Sequence, residues 1–231
     1  MEHRPSTTRP ERSLSELSPM PSLYGATLQR ICNSFLAHYC HLEVRGTVPS
    51  EGGQFLICSN HRSHLDSIAI MMATGLSFNS CGLLAAHDYF FRNPIWLNVL
   101  TPALQLIPVN RRPRAHEFDR MIRTCQSFFR EGGRAIIAYP EGTRTSSATV
   151  SNFKRGAGVL AIKLAVPILP VFVSGTAHIL PKGRVMPRPG RIVVHLGSLM
   201  HIDKSLPDHK LLSRQVAKEI ESRVRALSVQ D

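Results

Sequence analysis

Phe55-Leu56-Ile57-Cys58-Ser59-Asn60-His61-Arg62-Ser63-His64-Leu65-Asp66, running on into Ile68-Ala69-Ile70-Met71-Met72, is the stretch on which the reading of this chain turns. The unbroken apolar run at 55–58 suits a strand buried on both faces, and the apolar residues from Ile68 onward open the next element. Between them sits a cluster of titratable and hydrogen-bonding side chains. The junction between a strand end and a helix start is where open α/β sheets gather ligands.

Working outward, further short apolar runs occur at 82–86, 104–109, 135–139, 168–173 and 192–196. Each has strand length. Between two of them, Phe118, Met121, Ile122, Cys125, Phe128 and Phe129 fall on helical spacing, and Gly132 and Gly133 follow where a C-terminal cap belongs. Strands alternating with helices predict an α/β fold with a mixed, largely parallel sheet flanked by helices. Leu212, Val216, Ile220, Val224 and Leu227 form one stripe of a terminal helix whose other faces carry Lys210, Arg214, Lys218, Arg223 and Arg225. The segment 183–190, with Pro187 and Pro189, reads as a basic surface loop.

The chain has 231 residues, enough for one such domain with a sizeable core and too few for two large ones. Residues 1–21 are rich in Ser, Thr, Pro and Arg and are expected to form a disordered tail, leaving 22–231 as the single domain. In the first helix, expected over 22–41, Leu23, Leu28, Ile31, Cys32, Phe35, Leu36 and Tyr39 recur mostly on one side. That side can meet a membrane or pack on the core.

Lys and Arg number 28 against 16 Asp and Glu, a formal net charge of +12, so an anionic partner is expected. Lipid headgroups, phosphorylated substrates, coenzyme A, an acidic carrier protein and nucleic acid all meet that requirement. Cys32, Cys40, Cys58, Cys81 and Cys125 show no CxxC spacing and no even disulfide framework, and the opening residues lack the apolar run of a signal peptide. No uninterrupted apolar stretch of about 18 residues is present. The expected location is therefore the cytoplasmic face of a membrane, peripheral or monotopic, with no transmembrane helix.

His61 and Asp66, five positions apart, can form a dyad if the loop turns back, the carboxylate fixing the imidazole tautomer and stabilising the imidazolium. No G-x-S-x-G nucleophile motif accompanies them, so the simplest chemistry is direct attack by a substrate hydroxyl that the base deprotonates. A second cluster, Tyr139-Pro140-Glu141-Gly142-Thr143-Arg144, follows the run at 135–139, with Phe153-Lys154-Arg155-Gly156 shortly after. Pro and Gly fix a turn, and Arg144 and Lys154 suit a phosphate held near backbone amides. A third cationic point, Arg111, closes Ile107-Pro108-Val109-Asn110-Arg111.

Taken together these blocks resemble those of the glycerolipid acyltransferase family, which includes bacterial 1-acylglycerol-3-phosphate acyltransferase. Asn60 to Asp66 is similar to its N-H-x-x-x-x-D block, Ile107 to Arg111 to its second, Tyr139 to Arg144 to its P-E-G-T-R block, and Val166-Pro167-Ile168-Leu169-Pro170-Val171 to its fourth. The resemblance implies a glycerol-3-phosphate acyltransferase-like fold, with His61 as catalytic base and Asp66 as its partner. It implies that Arg111, Glu141, Gly142, Thr143, Arg144 and Lys154 bind the glycerol-phosphate part of a lysophospholipid acceptor. Acyl-CoA or acyl carrier protein would be the donor, with no metal or bound cofactor. Departures are Gln105, Pro108 and Asn110 in the second block, which bear on acceptor identity, and Tyr139 in place of the usual Phe.

Two other classes fit parts of the same pattern. His61, His64 and Asp66 form an H-x-x-H-x-D run that suits a metal-dependent hydrolase, but the later histidines His178, His195, His201 and His209 lack tight ligand spacing. A non-enzymatic binder of anionic membrane or nucleic acid would use the positive charge. One Trp, four Tyr and no recognition motif argue against the nucleic-acid form.

Overall fold

The apolar runs read from the sequence all become strands of one sheet. In the computed structural model, which describes residues 22–49, 53–86, 103–145, 149–181, 183–184, 186–202 and 209–230, the strands are β1 (Leu42–Arg45), β2 (Phe55–Ser59), β3 (Cys81–Ala86), β4 (Gln105–Val109), β5 (Ala135–Ala138), β6 (Ile168–Ser174) and β7 (Ile192–Leu196). The expected tail, 1–21, lies outside the described residues.

Their order is β1-β7-β6-β2-β5-β3-β4. From β6 to β4 every neighbouring pair is parallel, whereas β7 runs antiparallel to β6 and β1 parallel to β7. The carboxyl ends of five adjacent strands therefore share one edge of the sheet. Pro108 is accommodated because β4 is an edge strand, where a missing N–H costs no ladder bond on the open side. β1, which the sequence did not signal, is a four-residue edge strand with charged Glu43 and Arg45.

Helices cover both faces: α1 (Ser22–Ser34), α2 (Leu65–Ala73), α3 (Ala115–Arg130), α4 (Arg155–Leu164), the single turn α5 (Thr176–Ile179) and α6 (His209–Ser228). Strand residues alternate between the two layers. Phe55 and Ile57 of β2 join Ile70, Met71 and Phe78 under α1 and α2, while Leu56 and Cys58 join Met121, Leu160 and Ile220 under α3, α4 and α6. α4 and α6 approach closely through Gly158, where an added Cβ would lie 2.0 Å from the Ser213 carbonyl oxygen. The five cysteines are unpaired, and all but Cys32 are buried.

The apolar stripe expected along 22–41 divides in two. Leu28, Cys32, Phe35 and Leu36 pack on the core. Leu23 (76 % exposed), Ile31 (60 %) and Tyr39 face outward. Part of the reason is a π-helical turn at Phe35–Tyr39, whose wider winding carries Tyr39 off the buried stripe. Among the described residues no helix is long and apolar enough to cross a membrane.

Candidate active site

β2 ends at Ser59, and the next residue, fully buried Asn60, extends its pairing with a side chain. The Asn60 amide donates to the Val173 carbonyl at 2.8 Å, and its oxygen accepts from Val173 N–H at 2.8 Å. One carboxamide supplies donor and acceptor together, copying a strand residue while the main chain leaves the sheet. His61 is thereby placed just beyond the carboxyl ends of the central strands.

The loop then folds back on the first turn of α2. Asp66 Oδ2 accepts three hydrogen bonds, from Arg62 N–H at 2.7 Å, Ser63 N–H at 2.8 Å and the His61 Nδ1 side at 2.9 Å. Its Oδ1 accepts from the Thr176 hydroxyl at 2.5 Å. Asp66 and Thr176 are both fully buried, and the His61 side chain is 17 % exposed. With Nδ1 committed to the carboxylate as donor, Nε2 is left as the basic nitrogen.

The second cluster braces the first. The Glu141 carboxylate accepts the His61 backbone N–H at 2.9 Å, and Thr145 N–H donates to the His61 carbonyl at 3.0 Å. Glu141, expected to touch substrate, is 5 % exposed and is not among the cavity-lining residues. Burial pushes its carboxyl above the usual range, opposed by hydrogen bonds from His61 and Ser151. A tight turn closes from Gly142 N–H to the Tyr139 carbonyl at 2.9 Å, with Gly142 at φ +75°, a conformation that favours glycine. Lys154 N–H donates to the Pro140 carbonyl at 3.0 Å, which fastens the start of α4 to the same turn.

These pieces surround a cavity of about 340 Å³. His61, Arg111, Gly142, Thr143, Arg144 and Lys154 line it, so the structure brings together every expected site residue except Asp66 and Glu141, which stand behind the wall. The remainder of the wall is largely apolar, with Leu83, Val109, Phe118, Met121 and Leu160. Asn110 donates to Glu117 at 2.9 Å, and Glu117 also accepts Arg114 N–H at 2.7 Å, which secures the turn that carries Arg111.

Three neighbours of the dyad have no role assigned from the sequence, although Tyr139 stands out there as a block residue in place of the usual Phe. Thr176 is one. Tyr139 stacks on the His61 ring with centroids 3.8 Å apart and planes at 14°. Ser67 lies 2.7 Å from the Tyr139 hydroxyl. His64 also lines the cavity; burial, aided by the positive fields of Arg144 and His61, lowers it to about 4 and keeps it neutral. Among the described residues no group of three or more His, Cys, Asp or Glu side chains is arranged to hold a metal ion.

A mixed sheet that presents a His–Asp pair at the carboxyl ends of its parallel strands, beside a cavity lined by three cationic side chains and several apolar ones, is an α/β site suited to general-base chemistry on an anionic, amphipathic ligand. Residues 41–174 match the model of the family described as Acyltransferase, and the chain belongs to that family. It is 27 % identical over 136 residues to the chloroplastic 1-acyl-sn-glycerol-3-phosphate acyltransferase BAT2 of Brassica napus, covering 59 % of this chain and 37 % of the relative. It is 29 % identical over 170 residues to the 1-acyl-sn-glycerol-3-phosphate acyltransferase of Chlamydomonas reinhardtii, covering 72 % and 46 %. Matched segments thus span less than half of these relatives' length. The fold is similar to that of PlsC, the 1-acyl-sn-glycerophosphate acyltransferase of Thermotoga maritima, with a TM-score of 0.63, 22 % identity, and coverage of 93 % of this chain and 86 % of that one.

Proposed function

We propose that this protein is an O-acyltransferase that moves a fatty acyl group from a thioester, acyl-CoA or acyl carrier protein, onto the free hydroxyl of a lysophospholipid. The preferred acceptor is 1-acyl-sn-glycerol-3-phosphate, giving phosphatidic acid. The observation that carries the reading is the His61–Asp66 dyad, joined at 2.9 Å, opening onto a cavity that combines three cationic side chains with an apolar wall. A lysophosphatidate complements both parts, with an anionic phosphate for the cations and an acyl chain for the apolar wall.

His61 Nε2 takes the proton of the acceptor hydroxyl as the oxygen attacks the thioester carbonyl. The tetrahedral intermediate collapses with cleavage of the C–S bond, and the imidazolium returns its proton to the departing thiolate. An ester and a free thiol result. Asp66 stabilises the imidazolium and keeps the tautomer fixed. Arg111, Arg144 and Lys154 hold the phosphate, a task suited to charge-assisted hydrogen bonds, while Gly142 and Thr143 shape the wall beside it. The reaction draws on no metal or bound cofactor.

The net charge of +12 and the outward Leu23 and Ile31 support a site of action on an anionic membrane surface, with the cytoplasmic face as the proposed side. Purified protein should convert detergent-dispersed 1-acyl-sn-glycerol-3-phosphate to a diacyl product, read by mass spectrometry, with palmitoyl-CoA and palmitoyl acyl carrier protein supplied in separate arms. A lysophosphatidylcholine and a glycolipid arm report the acceptor. Absence of diacyl product in every arm would refute the proposal.

A further inference from the structure

Asp66 secures the His61 imidazole at one edge, and one hydrogen bond leaves a ring free to swing about it. Its face is covered by Tyr139, 3.8 Å away centroid to centroid and 14° from parallel. Tyr139 is anchored in turn, its hydroxyl 2.7 Å from that of Ser67. Ser67 follows Asp66 in the first turn of α2, so a single helical turn reaches His61 twice: along the ring edge through a carboxylate, and across the ring face through a phenol. Tyr139 and Ser67 both line the cavity, yet neither has a part in the proton transfer.

We infer that Tyr139, tethered by Ser67, is a positioning residue for acyl transfer, holding the His61 imidazole in the plane where Nδ1 meets Asp66 and Nε2 faces the cavity. The inference rests on the acyl-transfer reading of the site. The stack also favours a ring that becomes cationic during the reaction, because the π face attracts positive charge. The hydroxyl does what a phenylalanine there would not: it fixes the ring that fixes the base.

The test is a set of four variants, Tyr139→Leu, Tyr139→Phe, Ser67→Ala and the double Tyr139→Phe/Ser67→Ala, each assayed for kcat and for KM of donor and acceptor. Misplacement of a catalytic group costs up to about 10²-fold, so Tyr139→Leu should lower kcat by about 10- to 100-fold with both KM values little changed. Tyr139→Phe keeps the stack and loses one hydrogen bond, so its kcat should fall about two- to threefold below wild type. Ser67→Ala should match it, and the double variant should be no worse than either single one, because all three lack the same bond.

Wild-type kcat in Tyr139→Leu, or a loss confined to KM, overturns the inference. If Tyr139→Leu does not fold, the remaining cycle decides. Losses that multiply in the double variant, or no loss in either single one, overturn it as well. Failure of the underlying reading is distinguishable: wild-type release by His61→Ala removes the mechanism, whereas an inactive His61→Ala beside a fully active Tyr139→Leu rejects only the positioning role.

Discussion

Thr176→Val keeps the shape of the side chain and removes one donor from a carboxylate oxygen that has no access to solvent. The Thr176 hydroxyl meets Asp66 Oδ1 at 2.5 Å, and both residues are fully buried. Taking a hydrogen-bond partner from a buried polar group costs about 1–3 kcal/mol, with charged groups at the upper end, so about 2–3 kcal/mol is expected here. For a chain of this size each kcal/mol moves Tm by about 2–4 °C, which places the variant about 4–12 °C below wild type. Because Oδ2 retains its contacts with His61, Arg62 and Ser63, the dyad should persist in a looser form, with kcat reduced by about tenfold. Thr176→Ser restores the donor and should recover most of both losses. Circular-dichroism melts and initial rates on the three proteins suffice. Thr176→Val melting within about 1 °C of wild type, with unchanged kcat, would refute the view that this hydroxyl supports the dyad.

Two further outcomes follow from the cavity. Arg144→Ala should raise KM for a phosphate-bearing acceptor by about 10- to 100-fold, the worth of one hydrogen bond to a charged group, while leaving KM for the acyl donor near wild type; equal effects on both substrates would place Arg144 elsewhere in the reaction. His64 is lowered to about 4 in the folded protein from an ordinary value of 6.5, chiefly by burial. The unfolded chain therefore binds this proton more readily, and the stability that depends on neutral His64 is complete above about pH 6.5 and is lost as the pH falls from there toward 4. Urea unfolding midpoints between pH 7.5 and 4 should fall less steeply for His64→Phe than for wild type, and identical slopes would contradict the assignment.

Much of this was legible in the sequence because the central strands are buried on both faces. Uninterrupted runs such as Ala135–Ala138 and Phe55–Cys58 have no competing reading once helical patterns lie between them. β1 escaped notice because an edge strand has one neighbour and little need of apolar residues: Leu42–Arg45 alternates charge with hydrophobe over four positions. The first helix was harder, since a periodic stripe does not reveal that a π-helical turn displaces its last member.

The dyad was readable because both partners lie in one short loop. Arg111, Arg144 and Lys154 were found as cations following strand ends, and the cavity gathers all three. Thr176 stands 110 residues from the carboxylate it serves, and a lone threonine carries no local mark of such a contact. Glu141 was expected to touch the acceptor, whereas it accepts the His61 N–H from behind the wall; a motif shows which residues occur together and leaves open whether each faces a ligand or a neighbouring loop.

The most direct test of acyl transfer by a His61 base is the release of free thiol from palmitoyl-CoA by purified protein, with and without 1-acyl-sn-glycerol-3-phosphate, beside His61→Ala and Asp66→Asn variants that melt like wild type. General-base catalysis contributes about 10²- to 10⁴-fold, so acceptor-dependent release should fall by at least about a hundredfold in His61→Ala. Release at the wild-type rate by the folded His61→Ala protein would contradict the account.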